Sequence, residues 1–175
     1  MSAVEIVVLL VALQRLLELA WARRNDQRLR AAGACEAGAG HYPLMVALHA
    51  AWLLALILLV PDEAPLSWPL LGFFLLLQIG RVWVIASLGK CWTTRILVVP
   101  GAPLVRNGPY RWLRHPNYLI VAAEVAVLPL VFGAWRLALV FSLLNAALLA
   151  WRIRVEERAL AQAAPPRPRP ASSRA

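Results

Sequence analysis

Five polar side chains lie inside apolar segments of this 175-residue chain and are the first candidates for chemistry. Each belongs to a different segment: Arg15, His49, Arg81, Glu124 and Asn145. Counted back from the basic end of each segment at about 1.5 Å per helical residue, all five lie roughly 9–11 Å deep. Charged residues inside a membrane span face the protein interior or a wet cavity. The layer therefore predicts a pocket with a polar floor, suited to an amphiphile with a reactive polar head.

The same residues also allow a purely structural interpretation. Arg15 could pair with Glu18 one helical turn away, and Arg81 with Glu124 between helices, because paired charges inside a membrane need no further purpose. His49 could equally be a hydrogen-bonded core residue. In the catalytic interpretation the candidates are His49, Arg81 and Glu124. Of these, His49 or Glu124 could act as a general base.

A second group of candidates lies in the longest connection, residues 89–116, and just beyond it. Residues 108–118 read Gly-Pro-Tyr-Arg-Trp-Leu-Arg-His-Pro-Asn-Tyr. Gly-Pro indicates a turn. Helical geometry is unfavourable for the residue that precedes Pro116, because the proline ring crowds its backbone. A basic aromatic run is also typical of a helix anchored at the membrane interface. The residue types alone leave both interpretations open.

Long apolar blocks must position both groups. Hydrophobic residues make up 61% of the chain and charged residues 15%, whereas about a quarter of a soluble domain is charged. A bilayer crossing takes about 20 helical residues, and five blocks qualify or nearly do: 4–22, 43–60, 68–88, 117–132 and 137–151. The last two are short and predict a tight antiparallel hairpin. The predicted fold is an all-α integral membrane protein with about five transmembrane helices, a cytosolic segment between the third and the fourth, and a C-terminal helix.

Basic residues predict the orientation, because Lys and Arg in short loops stay on the cytoplasmic side. They crowd the first connection, the third connection and the C-terminal segment. The second connection carries Asp62 and Glu63 without a base, and the fourth has only Arg136. We therefore expect a multi-pass protein of the bacterial cytoplasmic membrane with its N-terminus outside. The N-terminal block lacks a basic leader and a small-residue cleavage site, which favours a first span over a signal peptide.

Composition also bears on partners and organisation. The net charge of +9 does not predict nucleic-acid binding, because the arginines fall between apolar blocks, where lipid headgroups lie. Cys35 and Cys91 have no metal-ligand spacing, so neither a metal site nor a disulfide is expected. We expect one domain over residues 1–163 and a disordered Pro/Arg-rich tail over residues 164–175. The bilayer is the expected partner, and the oligomeric state is not indicated.

Two motifs carry a family resemblance. The Arg-His-Pro-Asn-Tyr run ending at Tyr118 precedes a hydrophobic hairpin, and Glu156-Glu157-Arg158-Ala159-Leu160 follows it. Over residues 90–160 the chain resembles the isoprenylcysteine carboxyl methyltransferase family; phospholipid methyltransferases share the pattern, and membrane sterol reductases share a looser form. The N-terminal half, with Arg15-Leu-Leu-Glu18 and residues 38–49, is similar to a bacterial branch that O-methylates alkylresorcinols or alkylpyrones beside type III polyketide synthases.

The resemblance implies S-adenosylmethionine as cofactor at the cytosolic face, covered by a cytosolic cofactor-capping segment. The candidate cofactor-binding positions of this sequence are Tyr110, Arg111, Arg114, His115, Pro116, Tyr118, Glu156 and Glu157. His115 and Tyr118 would line the pocket, and one of the glutamates would hold the cofactor's ammonium or ribose hydroxyls. Arg111 or Arg114 would bind its carboxylate, because guanidinium groups match carboxylates with two parallel hydrogen bonds.

The predicted function is membrane-embedded O-methylation of a lipophilic acceptor, a phenolic or pyrone lipid. Methyl transfer needs alignment of acceptor oxygen and methyl carbon and exclusion of water. A phenol or enol would gain from a base at His49, His115 or Glu124, whereas a carboxylate needs none. Carboxyl methylation of an isoprenylcysteine is the nearest alternative. A non-enzymatic membrane protein and a nicotinamide-dependent reductase are further alternatives.

Overall fold

Five α-helices form the computed structural model, which describes residues 1–163. Their bounds are α1 Ala3–Ala31, α2 Tyr42–Leu59, α3 Trp68–Leu88, α4 Pro116–Val131 and α5 Trp135–Ala163. The all-α membrane class predicted from composition is confirmed. The predicted tail at residues 164–175 lies outside the described residues.

Three helical segments are long and apolar enough to cross a membrane: Ala39–Leu59, Trp68–Cys91 and Trp135–Ala163. The helix α4 is apolar but has only 16 residues. The helix α1 has 29 residues, but Glu5, Arg15 and Glu18 interrupt its apolar part. Two of the five predicted spans are therefore not transmembrane by length and composition alone, and their place in the membrane depends on the helices they contact.

Two helices are longer than the apolar pattern predicts. The helix α1 continues nine residues past the predicted end at residue 22, through the basic stretch to Ala31. The helix α5 runs without a break from Trp135 to Ala163 and so joins the predicted fifth span to Glu156 and Glu157. Arginine, alanine and glutamate are strong helix formers, and no Gly or Pro occurs inside either stretch. The paired glutamates are thereby fixed to a rigid helix.

The core lies between the apolar ends of the helices, away from the basic connections. Val8, Leu56, Leu128 and Val131 are fully buried there, and Phe132 closes the turn between α4 and α5. That turn ends at Gly133, whose φ of 69° favours glycine. The outer faces carry exposed leucines, including Leu10, Leu58 and Leu76, as expected of helices that face lipid.

A small sheet, which the sequence did not predict, ties the first connection to the α3–α4 connection (residues 89–115). Strand β1 (Cys35–Ala37) pairs antiparallel with β2 (Ile96–Val98), with Cys35 opposite Val98. The β-branched residues Ile96 and Val98 favour the extended conformation of β2, but its partner lies about 60 residues earlier in the chain. The sheet fixes the α3–α4 connection over the basic ends of the helices.

Candidate active site

A cavity of about 790 Å³ lies where the α3–α4 connection meets α5 and the ends of α2, α3 and α4. Nine of the sequence-predicted residues line it: His49, Arg81, Tyr110, Arg111, Arg114, His115, Tyr118, Glu156 and Glu157. Pro116 and Glu124, the other two, are buried and do not line it. Small-molecule sites typically measure about 300–1,000 Å³. The structure thus brings together candidates that are up to 108 positions apart in the sequence.

The Arg-His-Pro-Asn-Tyr motif forms the start of α4. Pro116 occupies the first turn, where its missing N–H costs nothing, and His115 precedes it with non-helical dihedrals. The rings of His115 and Tyr118 stack with centroids 5.4 Å apart. A short turn over Gly108–Arg111 leads into the motif; Gly108 has a φ of 54°, and a Cβ there would collide with the Ser87 side chain. Glycine is therefore required for this segment to pack on α3.

The paired glutamates face this motif from α5. The Tyr118 hydroxyl donates a hydrogen bond to Glu156. His115 lies between the carboxylates: its Nδ1 is 3.9 Å from Glu156 Oε2 and its Nε2 is 3.5 Å from Glu157 Oε1. Arg114 Nη1 is 3.6 Å from Glu157, but this side chain is 87% exposed, so that pair contributes little stability. Imidazole, phenol and two carboxylates thus meet on one side of the cavity.

Tyr110 and Arg111 complete the predicted set on the α3–α4 connection. Burial, and then the nearby Glu156 carboxylate, raise the pKa of the Tyr110 phenol above its ordinary value. Tyr110 consequently remains a neutral hydrogen-bond donor at physiological pH. The Arg111 guanidinium lies 5.5 Å from the Trp112 ring, and its side chain is exposed.

Arg152 is a lining residue that the motif interpretation missed. It is 4% exposed, donates from Nε to the Tyr118 hydroxyl at 2.9 Å and from Nη2 to the Thr94 carbonyl at 2.6 Å. Its Nη1 is 3.4 Å from His41 Nε2. Its position four residues before Glu156 on one helix places both on the same face, which is the sequence signal that could have identified it.

The polar layer is organised differently from the two predicted ion pairs. The predicted contact between Arg81 and Glu124 exists, at 3.2 Å, and Arg15 also contacts Glu18, at 3.0 Å. Each arginine in addition contacts the other carboxylate: Arg15 reaches Glu124 at 2.7 Å, and Arg81 reaches Glu18 at 2.6 Å. We call these four residues the charge cluster. Because two cations and two anions share one buried site, each charge is compensated twice.

The other two residues of the predicted layer are not part of the charge cluster. His49 Nδ1 lies 2.9 Å from the Met45 carbonyl oxygen, one turn earlier on α2, and His49 faces the cavity. Asn145 is 1% exposed, and neither of its amide atoms has a hydrogen-bond partner among residues 1–163. Of the five residues to which the sequence assigned one depth, Arg15, Arg81 and Glu124 meet in the cluster, whereas Asn145 does not line the cavity.

A second set of charges holds the α3–α4 connection against the first connection. Glu36 accepts hydrogen bonds from Arg30 and from Arg95, the latter at 2.6 Å. Burial opposes the charged form of Glu36, but these two arginines outweigh it and hold the pKa of the carboxyl below its usual value. Arg95 also lies 4.2 Å from the centre of the Tyr42 ring. This arrangement joins the first connection, α2 and the strand β2.

The lining fits S-adenosylmethionine in charge. Two carboxylates are available for an ammonium or ribose hydroxyls, and Arg111 and Arg114 for a carboxylate. Two buried lining atoms are without a hydrogen bond in the described part of the chain: His115 Nε2 and Asn117 Oδ1. Buried polar groups normally have partners, so these atoms are suited to a bound polar ligand. Residues 1–163 contain no group of three His, Cys, Asp or Glu able to hold a metal ion.

Comparison with known proteins identifies relatives of this chain. The model of the isoprenylcysteine carboxyl methyltransferase family matches residues 70–162. An uncharacterized protein of Bacillus subtilis (strain 168), YpbQ, is 42% identical over 159 residues, which cover 89% of this chain and 95% of that protein. An uncharacterized protein of Haemophilus influenzae is 29% identical over 153 residues, covering 81% and 86%. No solved structure matches the chain.

Proposed function

Because the chain belongs to the isoprenylcysteine carboxyl methyltransferase family, we propose that it transfers a methyl group from S-adenosylmethionine to an oxygen of a lipophilic acceptor within the membrane. The observation that supports this most directly is the cavity in which His115 and Tyr118 of the family motif face Glu156 and Glu157. Its polar groups lie at one end of a helical protein whose outer faces are apolar. A reactive head and a lipid chain can then be held at the same time.

The residues of the α3–α4 connection and α5 hold the cofactor in this proposal. Glu156 and Glu157 bind its ammonium or ribose hydroxyls, Arg111 or Arg114 binds its carboxylate, and His115 and Tyr118 form the wall. When bound, the cofactor supplies an already activated sulfonium methyl. The protein is left to align the acceptor and to exclude water from the reacting atoms.

The acceptor is proposed to be a phenolic or pyrone lipid. The similarity of the N-terminal half to the O-methylating branch supports this assignment, as do the apolar lining residues Val121, Leu149 and Leu160 beside the polar groups. The family's description favours a second candidate, carboxyl methylation of an isoprenylcysteine. Both reactions use the same cofactor and differ in the acidity of the acceptor oxygen.

The proposed location is the cytoplasmic membrane of a bacterium, with the N-terminus outside and the cavity open to the cytosol. The supporting observation is the position of the basic side chains. Arg23, Arg24, Lys90 and Arg158 all lie at the end of the helices where the cavity opens, and all four are exposed. Lys and Arg near span ends favour the cytoplasmic side.

Two measurements test the proposal. Calorimetry on the detergent-purified protein should detect binding of S-adenosylmethionine and none of reduced nicotinamide cofactors. Mass spectrometry of lipids from cells with and without the protein should reveal a species heavier by one CH₂ group that depends on it. Incubation with an alkylresorcinol, an alkylpyrone and a farnesylated cysteine then identifies the acceptor class. Absence of cofactor binding and of any methylated lipid would contradict the proposed function.

A further inference from the structure

We propose that His49 is the general base of the reaction, taking a proton from the acceptor hydroxyl at its Nε2 atom, and that the acceptor is therefore a phenol or enol rather than a carboxylic acid. This inference rests on the proposed function and deepens it. His49 lies on α2, outside the residues 70–162 that match the family model. The base is thus supplied by the N-terminal part of the chain.

The tautomer of His49 carries the argument. Its Nδ1 is 2.9 Å from the carbonyl oxygen of Met45. A carbonyl oxygen only accepts hydrogen bonds, so Nδ1 must carry the proton. In the neutral ring Nε2 then has a free lone pair and can only accept a proton. The α2 backbone therefore holds the ring in the form that a base requires, as a second group orients the histidine in catalytic triads.

Nε2 of His49 is also available. It has no hydrogen-bond partner in the described residues, and His49 lines the cavity together with Arg81. The imidazole also packs against Trp52, whose fully buried ring meets it edge to face with centroids 6.4 Å apart. The base is consequently fixed in orientation, while its accepting atom is left open to a ligand.

The other two candidate bases, Glu124 and His115, lie in different surroundings. Glu124 is 2% exposed, and both of its oxygens accept hydrogen bonds: Oε2 from Arg15 and Arg81, and Oε1 from Gln78 at 2.9 Å. It does not line the cavity. His115 lies between Glu156 and Glu157 in the part of the cavity assigned to the cofactor. His115 also lines the cavity, and its Nε2 has no hydrogen bond in the described residues, so only its place beside the paired glutamates sets it apart. Among the three bases considered from the sequence, His49 alone combines a free accepting atom with a position in the cavity outside the proposed cofactor site.

The charged groups that face His49 come from three helices: Arg15 of α1, Arg81 of α3 and Glu124 of α4. They belong to the charge cluster, whose formal charges sum to zero because it holds two arginines and two glutamates. The cluster as a whole therefore has no net formal charge.

The proton and electron pairs balance in this step. The acceptor O–H bond breaks and its proton passes to His49 Nε2, while the oxygen lone pair forms the new O–CH₃ bond. The methyl–sulfur bond breaks and its electron pair stays on sulfur, which becomes a neutral thioether. The positive charge of the sulfonium donor is thereby transferred to the His49 imidazolium, which later releases its proton to water.

The first test needs no variant. The full sequence contains three histidines, so the spectrum of the ¹⁵N-histidine-labelled protein is simple. The signals of His49 are those that disappear in His49→Gln. We expect the Nδ1 of His49 to show the shift of a protonated nitrogen and Nε2 that of an unprotonated one. Addition of a phenolic lipid that keeps one free hydroxyl, with its other oxygens blocked as ethers, should change the chemical shift of Nε2 selectively. An Nε2-protonated tautomer would overturn the proposal.

The second test compares two acceptors in His49→Gln. With a resorcinol lipid, whose hydroxyl has a pKa of about 10, loss of the base should lower kcat/KM by about 10²–10⁴-fold. With a nitro-substituted analogue that is already ionised at the assay pH, the loss should be less than about ten-fold, because no proton remains to be removed. His49→Asn serves as a second variant, and unchanged S-adenosylmethionine affinity shows that each variant is folded.

Equal losses with both acceptors would overturn the assignment of His49 while leaving the methyltransferase intact. A wild-type protein that methylates only the farnesylated cysteine would also overturn it. A wild-type protein that binds no S-adenosylmethionine and methylates neither class would instead remove the proposed function itself, and the base assignment with it. The failures of the two proposals are therefore distinguishable.

Discussion

Arg81 on α3 and Glu18 on α1 form a two-pronged ion pair. Arg81 Nε donates to one carboxylate oxygen at 2.7 Å and Nη2 donates to the other at 2.6 Å. Glu124, the partner that the sequence indicates for Arg81, accepts only a single longer bond from it, at 3.2 Å. Parallel hydrogen bonds between a guanidinium and a carboxylate are the stronger geometry. The first helix is therefore bound to the rest of the protein by charge as well as by packing.

The charge cluster predicts an unusual pattern of double-mutant stabilities. Arg81→Met leaves Glu18 and Glu124 to share Arg15, with one buried negative charge uncompensated. We expect the free energy of unfolding, measured in mixed micelles, to fall by about 3–5 kcal/mol. Arg81→Met with Glu18→Leu leaves the Arg15–Glu124 pair, 2.7 Å apart, and should recover much of that loss.

The control for this cycle is Arg24→Met, an exposed arginine on the same helix as Glu18. Its effect should stay within about 0.5 kcal/mol. If the Arg81/Glu18 double variant loses as much stability as its two single variants added together, the side chains are not coupled. The charge cluster would then have to be described without an interaction between Arg81 and Glu18.

Glu156 and Glu157 should both contribute to cofactor binding. The double variant Glu156→Gln with Glu157→Gln should weaken S-adenosylmethionine binding at least about ten-fold, because a lost hydrogen bond to a charged group is worth about 1.5–3 kcal/mol. We expect Glu156→Gln to have the larger single effect, since Glu157 is 46% exposed and Glu156 is 27% exposed. Unchanged affinity in calorimetry, with the protein folded, would remove both residues from the site.

Arg152 is expected to act as a positioning residue for Tyr118 and the Thr94 carbonyl. Arg152→Met should weaken S-adenosylmethionine binding by about ten-fold or more, because the Tyr118 hydroxyl and a backbone oxygen lose a charged donor. Arg152→Lys should restore part of the affinity, since lysine keeps the charge but not the planar fork. Arg154→Met is the matched control, two positions away on the same helix and exposed. Equal affinities of the Met variants at 152 and 154 would contradict this role.

The contacts of Glu36 predict a specific acid sensitivity. Its pKa in the folded state lies below the ordinary value of 4.5, so its ionised form stabilises the fold. That contribution is complete above about pH 4.5 and is lost as pH falls through the lower, folded-state pKa. Between about pH 6 and pH 3 the wild type should therefore lose more stability than Glu36→Gln. Glu63→Gln, an exposed acid on the second connection, should follow the wild type. Parallel curves for Glu36→Gln and wild type would exclude the effect.

The proposed orientation predicts the outcome of reporter fusions. Fusions after Ala32 and after Leu160 should both report the cytosol, and a fusion at Glu63 should report the opposite side, because the basic residues flank the first two sites only. The same side for Glu63 and Leu160 would mean that α3, α4 and α5 do not cross the bilayer as proposed.

Local and periodic features of this protein could be predicted from the sequence. Apolar blocks about as long as a bilayer is thick predict membrane helices whatever their neighbours, because lipid requires each span to satisfy its own backbone hydrogen bonds. The motif at Arg114–Tyr118 and the glutamates at 156 and 157 identified one wall of the cavity, since Pro116 fixes a helix start and a long helix fixes the glutamates. The contact between Arg81 and Glu124 also followed from sign and depth.

What only the tertiary structure decided is which helix lies beside which. Depth along a helix can be counted from a sequence, but the angular position around the bundle cannot, so Arg81 acquired Glu18 as its two-pronged partner and Asn145 was left outside the cavity. The pairing of β1 with β2, and the role of Arg152, depend on segments more than 50 residues apart. Such long-range contacts are set by the packing of the whole chain, because no local periodicity specifies them.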